Sequence, residues 1–163
     1  MKQTQAVVRR AGATDLEGFE AFLAGLSLET STRRFFTPTP RLARRQARLL
    51  LANDRTHGAF LAEEGGRVIG HGCWVAVAPT SAELAMVVAD GAQRDGIGRR
   101  LMRALARDLS DAGLDGLEMV VQPDNRLIIR LIARAWPTAC AHAEDGLLTF
   151  VTPVALKASR PAA

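Results

Sequence analysis

The stretch Met86–Arg100, MVVADGAQRDGIGRR, decides how this chain reads. Met86-Val87-Val88 has the apolar, β-branched character of a strand end, and from Gly98 an amphipathic helix takes over. Between them stands Gln93-Arg94-Asp95-Gly96-Ile97-Gly98. Glycines in such a loop permit unusual φ/ψ and close approach of backbone N–H groups to an anion. The helix behind the loop aims its positive end and its unpaired amides at the same place. Arg94, Arg99 and Arg100 add side-chain charge. Two familiar phosphate loops are excluded: a dinucleotide fingerprint needs a third glycine and a later acidic residue, and a P-loop needs Gly-Lys-Ser/Thr.

Working outward, Ala82–Val88 reads as the strand entering the loop, preceded by strands at Gly58–Glu63 and Arg67–Val77 with a hairpin turn at Glu64-Gly65-Gly66. Gly98–Ala112 is a helix with Leu101, Leu105 and Leu109 on one stripe, closed by Gly113. Leu117–Val121 reads as a buried strand, Asn125–Trp136 as a helix, and Cys140–Glu144 with Leu147–Val154 as a pair turning at Asp145-Gly146. Toward the N-terminus, Ala6–Arg10 is a strand, and Thr14 with Glu17 forms a capping box for a helix presenting Leu16, Phe19, Phe22 and Leu23 and ending near Leu26. Ser27–Thr39 reads as irregular. Thr39-Pro40 opens a helix to Ala52 with Arg41, Arg44, Arg45 and Arg48 on one face and Leu42, Leu49 and Leu50 on the other. The expected fold is α/β, with a mixed, mostly antiparallel sheet of six to seven strands and about four helices. One domain is expected over residues 1–163, its core at about 6–154 and a disordered tail at 158–163.

Composition narrows the function. The 163 residues are 48% hydrophobic and carry a net charge of +4, as an ordinary globular domain does. No apolar run approaches the roughly 18 residues of a membrane span, and MKQTQAVVRR lacks the apolar stretch of a secretory leader, so the expectation is a cytoplasmic protein with no membrane partner. Cys73 and Cys140 read as free thiols, and with His57, His71 and His142 scattered no metal site is expected. Of the 21 basic residues only Lys2 and Lys157 are lysines, which reads as a GC-rich coding bias. Eight aromatics, none of them tyrosine, are poor material for stacking on bases, so nucleic acid is not the expected partner.

In this context Gln93-Arg94-Asp95-Gly96-Ile97-Gly98 resembles the Gln/Arg-x-x-Gly-x-Gly/Ala pyrophosphate loop of the GNAT superfamily of acyl-CoA-dependent N-acetyltransferases, and the element order agrees over about residues 6–154. Asn125, opening the helix after the fifth strand, is similar to the asparagine the family carries there. Leu26-Ser27-Leu28-Glu29-Thr30 leading to Arg34-Phe35-Phe36, and Ala82-Glu83-Leu84-Ala85, resemble segments of the bacterial protein-lysine-acetyltransferase branch.

The resemblance implies a sheet splayed between its fourth and fifth strands, with the backbone of Met86, Val87 and Val88 pairing the pantetheine arm of acetyl-CoA. It also implies a Val88 N–H that polarises the thioester carbonyl. The amides of Arg94, Asp95, Gly96, Ile97, Gly98 and Arg99 would take the pyrophosphate, and Asn125 would meet the pantetheine arm or the thiol side. Glu83 matches the branch's general base, and period-2 alternation puts it on one face with Ala85 and Val87; His71 is the rival base, with Glu63 and Asp90 behind it. The implied reaction is direct attack on acetyl-CoA, in a ternary complex, by a primary amine of a protein lysine or a small molecule. The alternative is a non-catalytic acyl-CoA-binding domain. The family's pattern is departed from twice: Ile132 stands where many members have a tyrosine acid, and Ala135-Trp136-Pro137 replaces a Gly-Phe pair. By the same analogy Leu147–Val154 would pair across a homodimer.

Overall fold

The computed structural model describes residues 6–37 and 42–155. Seven strands form one sheet in the order β1-β2-β3-β4-β5-β7-β6: β1 Val7–Arg10, β2 His57–Glu64, β3 Arg67–Ala78, β4 Ser81–Val88, β5 Gly116–Val121, β6 Cys140–Glu144 and β7 Leu147–Pro153. All neighbours are antiparallel except β4 and β5. The α-helices are α1 Leu16–Ala24, α2 Leu28–Phe35, α3 Arg44–Leu50, α4 Ile97–Asp111 and α5 Arg126–Ala135. This is the expected mixed α/β sheet, with one helix more than expected.

The period-3.6 stripe of α4 buries Leu101, Met102, Leu105, Ala106 and Leu109. Met102, Leu105, Ala106 and Leu109 pack with Ile132 and Trp136 of the α5 end on Leu84, Leu117 and Met119 of the sheet, and Leu101 packs with Ile97 and Ala62. On the other face Phe19 and Phe22 of α1 and Ala47 of α3 cover Ala59, Leu61 and Val87. Each such side chain, fully buried, contributes about 1.5–3 kcal/mol by removal from water. The turns follow their glycines: Gly65 and Gly66 at φ +56° and +75° close the β2–β3 hairpin, and Asp145 and Gly146 at +49° and +78° close β6–β7.

Four expectations need correction. Ser27–Thr39 is not irregular throughout, since α2 occupies Leu28–Phe35. Its inward residues are Thr30 and Ser31, so no apolar period announces it; Ser27 Oγ instead caps it by accepting from Thr30 N–H at 3.1 Å. Thr14 caps nothing: it lies in a 3₁₀ turn, Ala13–Asp15, where the Asp15 carboxylate accepts from Gly12 N–H at 2.7 Å. Arg9 holds that carboxyl below the usual range through hydrogen bonding, against an opposing burial penalty. The helix start at Thr39-Pro40, and Arg41, lie outside the described residues; α3 begins at Arg44, with Gln46 Oε1 accepting from Ala43 N–H at 2.9 Å. Its inward side is Ala47 and Leu51 rather than Leu49, which is exposed. Finally, Leu147–Val154 is not an edge available for pairing, because β7 is bonded to β5 on one side and β6 on the other.

Candidate active site

β4 and β5 share a register at Ser81–Gly116, Ala82–Leu117 and Glu83–Glu118, and it ends there. From Leu84 onward β4 stays paired to β3, as far as Val88 against Gly70, while β5 stays paired to β7. Ala89 N–H donates to Ile69 O at 2.8 Å on the β3 side, and Gly116 N–H donates to Thr80 O at 2.9 Å on the β5 side. Alternation along a strand then turns the N–H and C=O groups of Met86 and Val88 toward the splay, and those of Val87 toward β3. Val87 is also buried by its side chain against α1. Met86 and Val88 therefore offer backbone to the gap, and Val87 does not.

The loop that follows is shaped by two left-handed residues, Arg94 at φ +70° and Gly96 at +81°. A positive φ at a non-glycine costs free energy, so Arg94 marks a position that the surroundings hold in place. Gly96 is the N-cap of α4, and a Cβ built on it meets nothing within 4 Å. The space in front of the helix N-terminus is thus open, and the first-turn amides face it unpaired. Arg94, Asp95 and Arg99 are exposed around this opening. Ile97 is 1% exposed, packed among Leu101 and Ala62, so it has only its amide to give. A Cβ built on Gly98 would be in ordinary contact with Leu131 at 3.4 Å and Met86 at 3.5 Å.

A cleft runs from the splay between α2 and α5, lined by Glu83, Met86, Met119, Asn125, Ile132 and, from α2 and its C-cap, Arg33, Arg34 and Phe36. Glu83 is exposed at its mouth. Asn125 caps α5, its Oδ1 accepting from Ile128 N–H at 3.4 Å, which leaves its amide group at the cleft. Ile132 is completely buried in the wall and supplies no proton donor. Glu83, Met86, Val88, Asn125 and the loop are brought together at one opening.

The rival base is removed from that opening. His71 is fully buried, its Nε2–H donating to Leu50 O at 2.7 Å and its ring 4.7 Å from that of Phe19. Burial, with the Arg34 charge nearby, pushes its pKa down to about 3. It is a neutral core residue. Glu63 is taken up by Arg9 at 2.6 Å. Asp90 accepts from Ser27 Oγ and Thr30 Oγ1, both at 2.7 Å, and from Ser27 N–H at 3.0 Å. Burial opposes its ionisation, but those hydrogen bonds outweigh it and hold the carboxyl below its usual range.

Sequence reasoning missed how α2 takes part. Arg33 reaches Glu29 at 2.8 Å and Asp124 beside Asn125 at 3.5 Å, and Gln122 Nε2 donates to Thr32 O at 3.3 Å. With Asp90 fixing its N-terminus, α2 spans both banks of the splay. Arg34 lies over the Phe35 ring at 4.7 Å and contacts Cys73 Sγ at 3.6 Å. Burial pushes the Cys73 thiol up, Arg34 opposing and the Glu83 charge adding to it. The Arg34-Phe35-Phe36 segment was the available signal, and it pointed to the site without saying how.

The chain belongs to the GNAT acetyltransferase family, whose model matches residues 24–135. The GNAT domain of PAT from S. lividans is 25% identical over 91% of this chain and 90% of its own, with a TM-score of 0.82. A ribosomal-protein-alanine N-acetyltransferase from Brucella melitensis is 20% identical over 90% and 99%, with a TM-score of 0.72. The structure of yncA from Salmonella typhimurium, which contains its cofactor acetyl-CoA, is 16% identical over 97% and 99%, with a TM-score of 0.71. No curated protein matches the chain in sequence. Among the described residues no helix is long and apolar enough to cross a membrane, and no cluster of His, Cys, Asp or Glu could hold a metal ion.

Proposed function

We propose that this protein is a cytoplasmic acetyl-CoA-dependent N-acetyltransferase acting on a primary amine, with a protein lysine as the acceptor class. The observation that carries the reading is the end of β4–β5 pairing at Glu83–Glu118. It leaves Met86 and Val88 backbone open beside a base candidate, in line with an open helix N-terminus. That arrangement fits a long thioester with a pyrophosphate at one end: polar backbone for the amide arm, α4 amides at Arg94–Arg99 for the anion, and Asn125 at the reactive end.

Acetyl-CoA supplies an activated acyl carbon with a thiolate leaving group. The chain's share begins at Glu83, which takes the proton from the incoming ammonium, directly or through a water, so that a neutral amine attacks. The amine nitrogen forms the new C–N bond, the C–S bond breaks, and the electron pair leaves with sulfur. Val88 N–H donates to the carbonyl oxygen as negative charge builds on it. The nitrogen gives up its second proton as the amide forms; with Ile132 apolar, water carries that proton to the thiolate, and Glu83 releases the first to solvent.

Calorimetric titration with acetyl-CoA and with free CoA, followed by turnover with lysine peptides, tests the reading. The expected result is micromolar-range binding of both ligands and transfer to the peptide. In Glu83→Gln, binding is expected to persist while kcat drops about 10²–10⁴-fold. Absence of binding overturns the donor site. Binding without transfer to any amine, unaffected by Glu83→Gln, replaces it with an acyl-CoA-binding domain.

A further inference from the structure

The register of the sheet lays one row of residues across an open face. His57 on β2 stands beside Val75 on β3, and Val75 beside Glu83 on β4. Glu83 stands beside Glu118 on β5, and Glu118 beside Val151 on β7. Register partners carry their side chains on the same face. α1 and α3 cover that face over Leu61 and Val87 and stop short of this row. Val75 is 36% and Val151 41% exposed, Glu83 is exposed and Glu118 half-buried. The centre of the row therefore reads valine, glutamate, glutamate, valine, open to solvent.

Two carboxylates directly abreast repel each other, and a sheet gains nothing from the pairing. Neither one is offset by an ion pair among the described residues. The basic side chains on this face reach neither carboxylate: Arg33 is tied to Glu29 and Asp124, His57 is held by Asp54 at 3.2 Å, and Arg34 of α2 contacts Cys73 Sγ on β3 without pairing with either glutamate among the described residues. Neighbouring strands lie about 4.8 Å apart, so one ammonium with its three donors can reach both carboxylates at once. The aliphatic carbons behind that ammonium then lie along Val75 or Val151.

We infer that Glu118 is a specificity-determining residue, which with Glu83 selects an acceptor amine carried on an uncharged alkyl chain and rejects an amine with a carboxylate on its neighbouring carbon. The inference rests on the acetyltransferase reading above and narrows its acceptor class. When Glu83 takes the proton, Glu118 keeps its charge and its hold on the amine, while a carboxylate on the acceptor would be a third negative group at one rung. A lysine side chain satisfies the requirement, and a free α-amino acid does not.

A matched pair of acceptors tests it on the full chain with acetyl-CoA: butylamine, and norvaline, which is butylamine with a carboxylate on the carbon bearing nitrogen. Wild type should prefer butylamine in kcat/KM by at least about tenfold, and raising the salt to about 0.5 M should narrow the preference. Glu118→Gln should shrink it about tenfold, through a higher KM for butylamine with kcat and the acetyl-CoA Kd little changed, and Glu118→Asp should restore most of it. A Glu118→Gln enzyme with the wild-type ratio, or one that loses kcat alone, overturns the inference and leaves the acetyltransferase reading standing. A salt-independent wild-type preference also overturns it, with no need for any variant to fold. Acetyl-CoA binding without transfer to either amine or to lysine peptides removes the reading and the inference together.

Discussion

Gln93 Nε2 donates to the carbonyl oxygen of Val88 at 3.1 Å, and the same nitrogen lies 3.3 Å from Thr30 Oγ1. The phosphate-type loop is thereby fastened to the last residue of β4 and to α2 by one side chain. The bond occupies the Val88 carbonyl on the splayed edge, so that the N–H of Val88 faces the gap with its own carbonyl already satisfied. On the proposed reading this is the position where a thioester carbonyl would lie.

Gln93→Ala should therefore weaken acetyl-CoA binding before it weakens the fold. One neutral hydrogen bond contributes about 0.5–1.5 kcal/mol net, equivalent to about a two- to twelvefold change in an equilibrium constant. We expect a Kd raised by about that factor in calorimetry and a urea midpoint lowered only slightly. Unchanged affinity would mean that the loop holds its shape without this tether.

Gly96 separates backbone strain from occlusion. A Cβ there meets no atom within 4 Å, but φ is +81°, so Gly96→Ala should cost about 1–2 kcal/mol of stability through strain alone and retain binding. Gly96→Glu carries the same strain and adds a carboxylate at the anion's position. Its acetyl-CoA affinity should fall more than about a hundredfold below that of the alanine variant, on charge repulsion in a partly desolvated site. Equal affinities in the two variants would show that no anion sits there.

Most of the fold was legible because its signals were local. The apolar stripe of α4, the glycine turns at Gly65-Gly66 and Asp145-Gly146, and the loop at Gly96 each state their geometry within a few residues. What escaped were features set by distant partners. α2 has a polar inner face and is held by Asp90, about sixty residues away, so its eight residues show no apolar period. Thr14 met the pattern of a cap, but the Arg9–Asp15 pair made a 3₁₀ turn of that segment. Val87 belongs to a strand whose backbone directions depend on the register with β3, which the sequence does not print. Glu118 acquires meaning only beside Glu83, across a parallel pair joined through α4.

His71 makes stability depend on pH in a definite direction. Its folded pKa is lowered to about 3 from an ordinary 6.5, mainly by burial, so between those values the unfolded chain binds a proton that the folded chain does not. A proton at Nδ1 would be a buried donor without a partner, since that atom has none. The contribution is complete above pH 6.5 and is lost on acidification toward 3, by at most about 1.4 kcal/mol per pH unit. Depressed carboxyls such as Asp15, and Asp54 at about 2, act only at the low end of this window and below it, as pH falls from about 3.8. Between pH 6.5 and 4.5 wild type should lose about 2 kcal/mol more unfolding free energy than His71→Gln. Parallel curves would show that the histidine is protonated inside the fold.

Asp108 joins α4 to β1 and β3 and gives the sharpest stability contrast. It is 6% exposed, accepts from Trp74 Nε1 at 2.8 Å and pairs with Arg10. Gly58 lies directly against this pair: a Cβ there would clash with Trp74 Nε1 and Asp108 Oδ2. Gly58→Ala must push the indole or the carboxylate aside, breaking a buried hydrogen bond, and should cost about 3 kcal/mol or more. Asp108→Asn keeps an acceptor for the indole and loses only the charge, whose partner is more than half exposed, so its cost should be nearer 1 kcal/mol. Asp108→Ala leaves the Trp74 N–H unsatisfied and should fall between them. Chemical denaturation of the three variants, with the fluorescence of the two buried tryptophans as the probe, checks the order. If Gly58→Ala proves no worse than Asp108→Asn, the strands can part at this rung more easily than their packing implies.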